Sequence, residues 1–448
     1  MPVSDPDREL DEYLAAGPKA DISKKTCMVV DNGLFVEIAA RLSREYGRVM
    51  YYVPWADPFP RRNKLDIGKG VPGIERVNSM WQDFDKVDVF CFPDVCFWED
   101  QLQLRSMGKP VFGAGKGELL EQDRLLCKEE MKKVGYPVSP YEVVHGMKAL
   151  RKFLQEREDE GPWWVKVSLV RGSFETFKAT KYDEIESKLD DMEHDLSGIK
   201  EDMDFILEKD LPDRVEIGID AYCIDGVFPK RMLAGIEIKG DAFAGVVREH
   251  ADFPEPLTRW DKLMAPTLKR YGYRGFLSTE VRFGKDHVPA MIDLCARCPS
   301  PPNESYQELY TNLGQIVWHG AHGVCINPTP SHRFCAQVQI HSEHADNNWQ
   351  NVRFPEKFRR NIKLRNCMKR EDGQWYIIPQ KAGRLGVGSV IGLGDTLKAA
   401  IEQVKEVAES VKGYYIECAS DKLEKAEEET EHIAKLGYPI FNAGQSSA

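Results

Sequence analysis

Apolar and polar positions along the chain keep two rhythms, and the switch between them marks its parts. The run KTCMVV (25–30) is short and apolar, the mark of a buried strand. Asn32-Gly33 follows as a turn, and Phe35, Ile38, Ala39, Leu42 and Tyr46 then recur at helical spacing. RVMYYV (48–53), VDVFCF (87–92) and PVFG (110–113) read as further strands, so this region predicts a small α/β domain with a parallel sheet. From Gly117 the period becomes helical, with Leu120, Cys127, Met131 and Val134 on one face and Gly135 as the stop. VHGMKALRKFL (144–154) predicts another helix, and WWVKV (163–167) and DFILE (204–208) predict strands separated by a charged segment. VEIGIDAYC (215–223) alternates strictly, with Val215, Ile217, Ile219, Ala221 and Cys223 on one face, and Asp225-Gly226 signals a hairpin. FLSTEVRF (276–283) and VPAMIDL (288–294) predict a second hairpin around GKDH (284–287). Leu397, Ala400, Ile401, Val404, Val407, Ala408 and Val411 form the stripe of a last helix, N-capped by Asp395 or Thr396, before a tail expected to be disordered.

The length of 448 residues exceeds one ordinary core and predicts two to four domains. No stretch approaches a membrane span, and the polar start is not a signal peptide, which predicts a cytoplasmic protein. A net charge of −11 shows no basic footprint for nucleic acid, so direct nucleic-acid binding is not expected. Eleven scattered cysteines in such a chain predict reduced thiols.

The densest chemistry lies in IDLCARCPSPPNE (292–304). Its Cys295-x-x-Cys298 has no second Cys or His pair at zinc spacing, and prolines follow where a redox motif would open a helix. With GKDH as a four-residue turn, Phe283 faces Val288, Glu280 faces Met291 and Ser278 faces Asp293. Glu280 and Asp293 are then diagonal neighbours on one face, a pair suited to a hard divalent cation bound to phosphate oxygens. The same alternation also suits the solvated face of an edge hairpin.

Taken in order, these features resemble the ATP-grasp superfamily over residues 25 to 415, its phosphoribosylamine–glycine ligase branch first and biotin carboxylases second. PVFGAGKGELLEQDRLLCKEEMKKVGYPVSP (110–140) is similar to the strand and helix that open the family's nucleotide domain. Arg124 stands where a phosphate lysine is usual, with Lys128 one turn on. Lys166 in PWWVKV matches the second phosphate lysine, and Arg171, Gly172 and Ser173 replace the usual glycine-rich loop. FILEKDLPDRVEIGIDAYCIDG (205–226) resembles the adenine hinge. It implies that Glu208 accepts from the adenine amino group, that Lys209 and Leu211 frame the base, and that Glu216 lies at the ribose. Glu280 and Asp293 match the two metal carboxylates, and Cys295 replaces a metal-ligating Asn, although a thiol is a poor Mg²⁺ ligand. Arg297 matches an arginine beside the transferring phosphate. KAGRLGVGSVIGLGDTLKAAIEQVKEVAESVKG (381–413) is similar to the small C-terminal domain, with Gly383 and Arg384 near the cleft.

The resemblance implies an α/β and α+β multidomain protein with the ATP-grasp fold. It divides the chain into an N-terminal extension (1–24), a Rossmann-like α/β domain (25–118), an ATP-grasp domain (119–328) and a small C-terminal domain (329–448). It implies a ligase that joins a small-molecule carboxylate to an amine through an acyl phosphate, using ATP and Mg²⁺ (or Mn²⁺), with Lys166 and Arg297 as catalytic groups. The assembly stays open, with a homodimer the commonest state of soluble oligomers. A small-molecule kinase and a non-catalytic nucleotide binder are the alternatives on the same fold. VVDNGLFVEIAARL (29–42) lacks the branch's Gly-Gly-Arg-Glu-His segment, and AGIEIKGDAFAGVVREHADF (234–253) replaces its Thr-Gly-Gly-Met-Gly segment. Lys239, Arg248 and His250 there imply a different substrate, so a purine-pathway role is not expected.

Overall fold

The computed structural model describes residues 19–54, 62–169, 176–211, 214–379 and 386–442. Strands β1 (Thr26–Val30), β2 (Arg48–Tyr52), β3 (Glu75–Arg76), β4 (Val89–Cys91) and β5 (Val111–Phe112) form a parallel sheet in the order β3-β2-β1-β4-β5. Their apolar runs are buried on both faces, as parallel strands with helical crossovers require. The order reverses between β1 and β4, which opens a crevice at their C-terminal ends.

A second, antiparallel sheet contains β6 (Tyr141–His145), β7 (Trp163–Val167), β8 (Thr176–Ala179) and β9 (Asp204–Lys209) in the order β6-β9-β7-β8. Helices Met147–Glu156 and Tyr182–Leu196 cover one face with Leu150, Leu154, Leu189 and Met192. The first of these helices begins later than the pattern predicts, because Tyr141–His145 pairs with β9 and Gly146 ends the strand at φ 85°. The helix predicted from Gly117 is divided at Asp123, whose side chain accepts from the Leu126 N–H at 3.0 Å and restarts it as Arg124–Lys133.

The third sheet is the floor of the molecule. It contains β10 (Val215–Ile224), β11 (Arg231–Ile238), β12 (Ala242–Glu249), β13 (Arg274–Phe283), β14 (Ala290–Cys295), β15 (Phe334–His341), β17 (Ile362–Leu364) and β20 (Gly388–Gly394), ordered β14-β13-β10-β11-β12-β15-β20-β17. The last strand of the chain, β21 (Glu417–Cys418), pairs with β15. Three short strands, β16 (Gln350–Val352), β18 (Cys367–Lys369) and β19 (Trp375–Ile377), form a separate sheet. The floor passes across residue 328 without a break, because β12 pairs with β15. Asp225 (φ 49°) and Gly226 (φ 84°) make the turn that follows β10, the conformation the Asp-Gly pair favours.

Side-chain parity divides this floor. Val215, Ile217, Ile219, Leu277, Val281, Met232 and Ala234 point to one face and join a core with the helix Glu255–Arg270. Glu216, Asp220, Ser278, Glu280 and Glu237 are left on the other. Beyond the last predicted helix, Leu397–Ala408 with Thr396 as its N-cap, the chain forms another, Lys422–Lys435, anchored by Leu423, Ala426 and Ile433. No helix among the described residues is long and apolar enough to cross a membrane.

Candidate active site

Lys166 lies on β7 with both flanking valines in the core, so its ammonium leaves the strand toward the floor. It donates to the carbonyl of Ile292 at 2.8 Å and pairs with Glu208 at 2.8 Å. Lys128, from the restarted helix, takes the other Glu208 oxygen. Burial pushes the Glu208 carboxyl up, but Lys166 and Lys128 outweigh it and hold it below the usual carboxylate range. One carboxylate thus faces two buried ammonium groups, and a full positive charge is left over beside the cleft.

Arg124 enters beside them. It donates to the Val167 carbonyl at 2.5 Å and lies 3.8 Å from Asp293. Arg124, Lys128, Lys166 and Glu208 therefore converge on the end of β14. Lys209 turns the other way: its ammonium lies 3.6 Å from the centre of the Trp163 ring and donates to the Glu160 carbonyl at 2.7 Å. Leu211 is half-buried on the loop after β9. Glu216 is tied to Arg282 on the neighbouring strand at 2.7 Å. Arg171, Gly172, Ser173, Gly383 and Arg384 lie outside the described residues.

The predicted hairpin is present, but its register is corrected. Residues 284–289 form a longer connection, and a bulge between Glu280 and Val281 shifts the ladder. Glu280 consequently stands directly opposite Asp293, and Ser278 opposite Cys295. The two carboxylates are closer than a diagonal pair. One Glu280 oxygen is buried without a hydrogen-bond partner, and Lys239 is 4.0 Å away. Burial pushes Glu280 up to about 8, against Lys239 and with the help of Glu216, Glu237 and Asp293. The same burial pushes Glu237 to about 7 and Asp220 to about 8. The carboxylates on this face are short of positive charge.

That arrangement fits Mg²⁺. The ion is commonly held by one or two carboxylates while phosphate oxygens and water fill the other positions. Glu280 and Asp293 would supply the carboxylates, and the Glu280 oxygen that lacks a hydrogen-bond partner, 4.0 Å from Lys239, is open to a further ligand. Among the described residues no group of three or more His, Cys, Asp or Glu side chains is arranged to hold a metal by itself. Burial pushes the Cys298 thiol well above its ordinary range.

Arg297 is fixed by two residues that the sequence did not single out. Glu121 accepts from its Nε at 3.0 Å and also from the Ala296 N–H at 2.6 Å, while Asp94 lies 3.7 Å away. Burial acts to lower the guanidinium, yet its acidic surroundings keep it firmly charged. Asp94 follows β4 at the crevice where the parallel sheet reverses, and strand order is the one signal that could have found it. Cys298 N–H donates to the Pro93 carbonyl at 2.8 Å, so this crevice abuts the end of β14.

No known family model matches the chain, and no curated protein sequence does. Solved structures do match. The phosphoribosylamine–glycine ligase of Thermotoga maritima superposes with a TM-score of 0.61 at 16% identity, over 87% of this chain and 98% of that one. The biotin carboxylase of Campylobacter jejuni, solved as a complex with βγ-ATP, gives 0.60 at 14% identity over 93% and 98%. An L-amino acid ligase from Bacillus licheniformis gives 0.57 at 12% identity over 88% and 99%. All three are ATP-grasp enzymes. The chain has the ATP-grasp fold. Within that fold, the sheet β6-β9-β7-β8 and the large floor are the two walls of the candidate site, and the bond from Lys166 to the Ile292 carbonyl joins them.

Proposed function

We propose that the chain is an ATP-dependent carboxylate–amine ligase working through an acyl phosphate. The observation that carries this reading is the Lys166 ammonium bonded to the carbonyl of Ile292. It joins the strand that bears the cationic side of the cleft to the strand that bears Asp293, with Glu280 opposite. Phosphates of ATP between the two walls meet Lys166, Lys128 and Arg124 on one side and the metal carboxylates on the other.

Glu280 and Asp293 would hold Mg²⁺, whose chemistry is to neutralise the phosphate oxygens and so make the γ-phosphorus open to attack. The chain's own contribution is positioning and fixed charge. A carboxylate oxygen of the first substrate bonds to the γ-phosphorus as the bond to ADP breaks. The amine nitrogen of the second substrate then bonds to the acyl carbon, phosphate leaves, and the amine gives up a proton. Arg297, held by Glu121 and Asp94, faces the charge that develops in both steps. Lys209, Leu211 and Glu216 supply the end of β9 and the start of β10, where the base and ribose are proposed to lie. The substrates are a small carboxylic acid and an amine, the reaction is assigned to the cytoplasm, and a homodimer is the proposed assembly.

The test is an ADP-release screen over amino acids and other carboxylates with hydroxylamine as the trapping amine. Hydroxamate formed in step with ADP is the expected result. A phosphate ester formed on a substrate hydroxyl, with ADP but without hydroxamate, would make the chain a kinase, and no ADP release with any carboxylate would contradict the ligase reading.

A further inference from the structure

A second cleft of about 540 Å³ opens where the first sheet meets the floor, and none of its lining residues belongs to the candidate active site. Gly113, just after β5, exchanges backbone hydrogen bonds with Arg274, the first residue of β13, at 2.6 and 3.1 Å. Arg274 is six residues before Glu280, about 20 Å along an extended strand.

The cleft is strongly basic in an acidic chain. Arg105, Lys109, Lys116, Arg270 and Arg274 line it, with Asp225 as its single carboxylate. Arg274 is neutralised by Asp225 at 2.8 Å, and Arg270 reaches out to Glu130. The others form no ion pair among the described residues. Arg105 donates to the carbonyls of Gly272 (2.7 Å), Gly113 (3.0 Å) and Val111 (3.3 Å). Lys109 donates to those of Phe84 (2.7 Å) and Val87 (2.9 Å) and lies 4.4 Å from the centre of the Phe84 ring, and none of these contacts cancels its charge. Lys116 is exposed at the rim.

Helix ends account for part of this charge. The helices Trp98–Ser106, Glu255–Arg270 and Leu313–Ala321 all terminate here, each presenting about half a negative charge. Three unmatched cations against three such ends leave about half of the positive excess uncancelled. Burial and the like charge of Arg274 push Arg105 down to about 10, against the nearby Asp225. An anion is the missing counter-charge. The Tyr271 ring and the apolar Leu102 and Pro110 complete the walls, and the volume falls within the range of small-molecule sites.

We propose that this cleft is a second ligand site that takes a nucleoside monophosphate, with its phosphate at Lys109 and Lys116 and its base against Tyr271. Such a ligand bridges the first domain to β13, the strand that carries Glu280, and couples the two regions.

The test is calorimetric titration of AMP into the full chain with Mg·ADP present at saturation, repeated with Lys116→Glu and Lys109→Met. Lys116 is exposed, so its replacement leaves the fold intact, and matching melting temperatures check this. The expected result is one AMP per chain, weakened about tenfold or more by Lys116→Glu with ADP affinity unchanged. Pyrophosphate titrated in the same way separates the sources of recognition: weaker binding than AMP assigns a role to the base, and equal or tighter binding overturns the nucleotide class in favour of phosphate alone. No AMP binding to the unmodified chain, or equal binding by Lys116→Glu, overturns the site.

Discussion

The two walls of the cleft handle charge in opposite ways. On the upper wall, Lys128 and Lys166 share Glu208, and all three side chains are buried and paired. On the floor, Asp220 is buried, Glu280 and Glu237 are half-buried, Lys239 lies 4.0 Å from Glu280, and oxygens of Glu280 and Asp220 have no hydrogen-bond partner. Burying an ion is expensive unless it is paired, so the first arrangement has its counter-charge within the fold and the second is the side where the proposed cation would be taken up. The difference teaches which parts of the cleft are preformed. On the proposed function, the side assigned to phosphate is set before nucleotide arrives, and the side assigned to metal is completed only with it.

The largest effect expected is from Lys166→Ala. It leaves Glu208 paired with Lys128 alone and the Ile292 carbonyl without its donor, so no charge is orphaned and the cost is that of lost charge-assisted hydrogen bonds, about 1.5–3 kcal/mol. Urea unfolding should report a loss of that size together with loss of ATP binding; unchanged stability would make the upper wall as unfinished as the floor. On the floor the sign reverses. Glu280→Gln should raise the melting temperature at pH 8 without metal and remove the Mg²⁺ response, and Asp293→Asn should abolish Mg²⁺-dependent turnover. A lowered melting temperature for Glu280→Gln, or full turnover by Asp293→Asn, would remove the distinction.

A smaller effect is expected from pH. Burial raises Glu280 and Asp220 to about 8 and Glu237 to about 7, so the folded chain keeps protons that the unfolded chain releases. Their contribution to stability is therefore full below the ordinary carboxylate range and is lost as pH rises toward 8. Melting curves from pH 5 to 8 should fall without metal, and Mg²⁺ should restore more stability at pH 8 than at pH 6; a rising curve contradicts the assignment. The smallest effect is from Cys295→Ser, which should change stability by about 0.5 kcal/mol or less and leave turnover intact. Complete loss of turnover at intact folding would give the thiol a role.

What could be read from the sequence was what local pattern controls. Strict alternation in Val215–Cys223 marked the face that joins the core, and hence the opposite face that bears Glu216 and Asp220. Lys166 was legible because an ammonium amid Trp163, Val165 and Val167 demands a counter-charge. Contacts that cross the chain were not legible. Glu121 and Arg297 are 176 residues apart, and nothing near either one announces the other. The β13–β14 register failed for a local reason, since a bulge leaves no mark in the alternation that surrounds it. Helix Lys422–Lys435 escaped notice because three small anchors, Leu423, Ala426 and Ile433, bury it beneath a charged surface.

The central claim is that the floor binds a cation together with nucleotide, and calorimetric titration of ATP with and without Mg²⁺ tests it most directly. The account predicts tight binding that requires Mg²⁺ and becomes insensitive to it in Glu280→Gln. Equal ATP affinity with and without Mg²⁺, or no binding in either case, would contradict it.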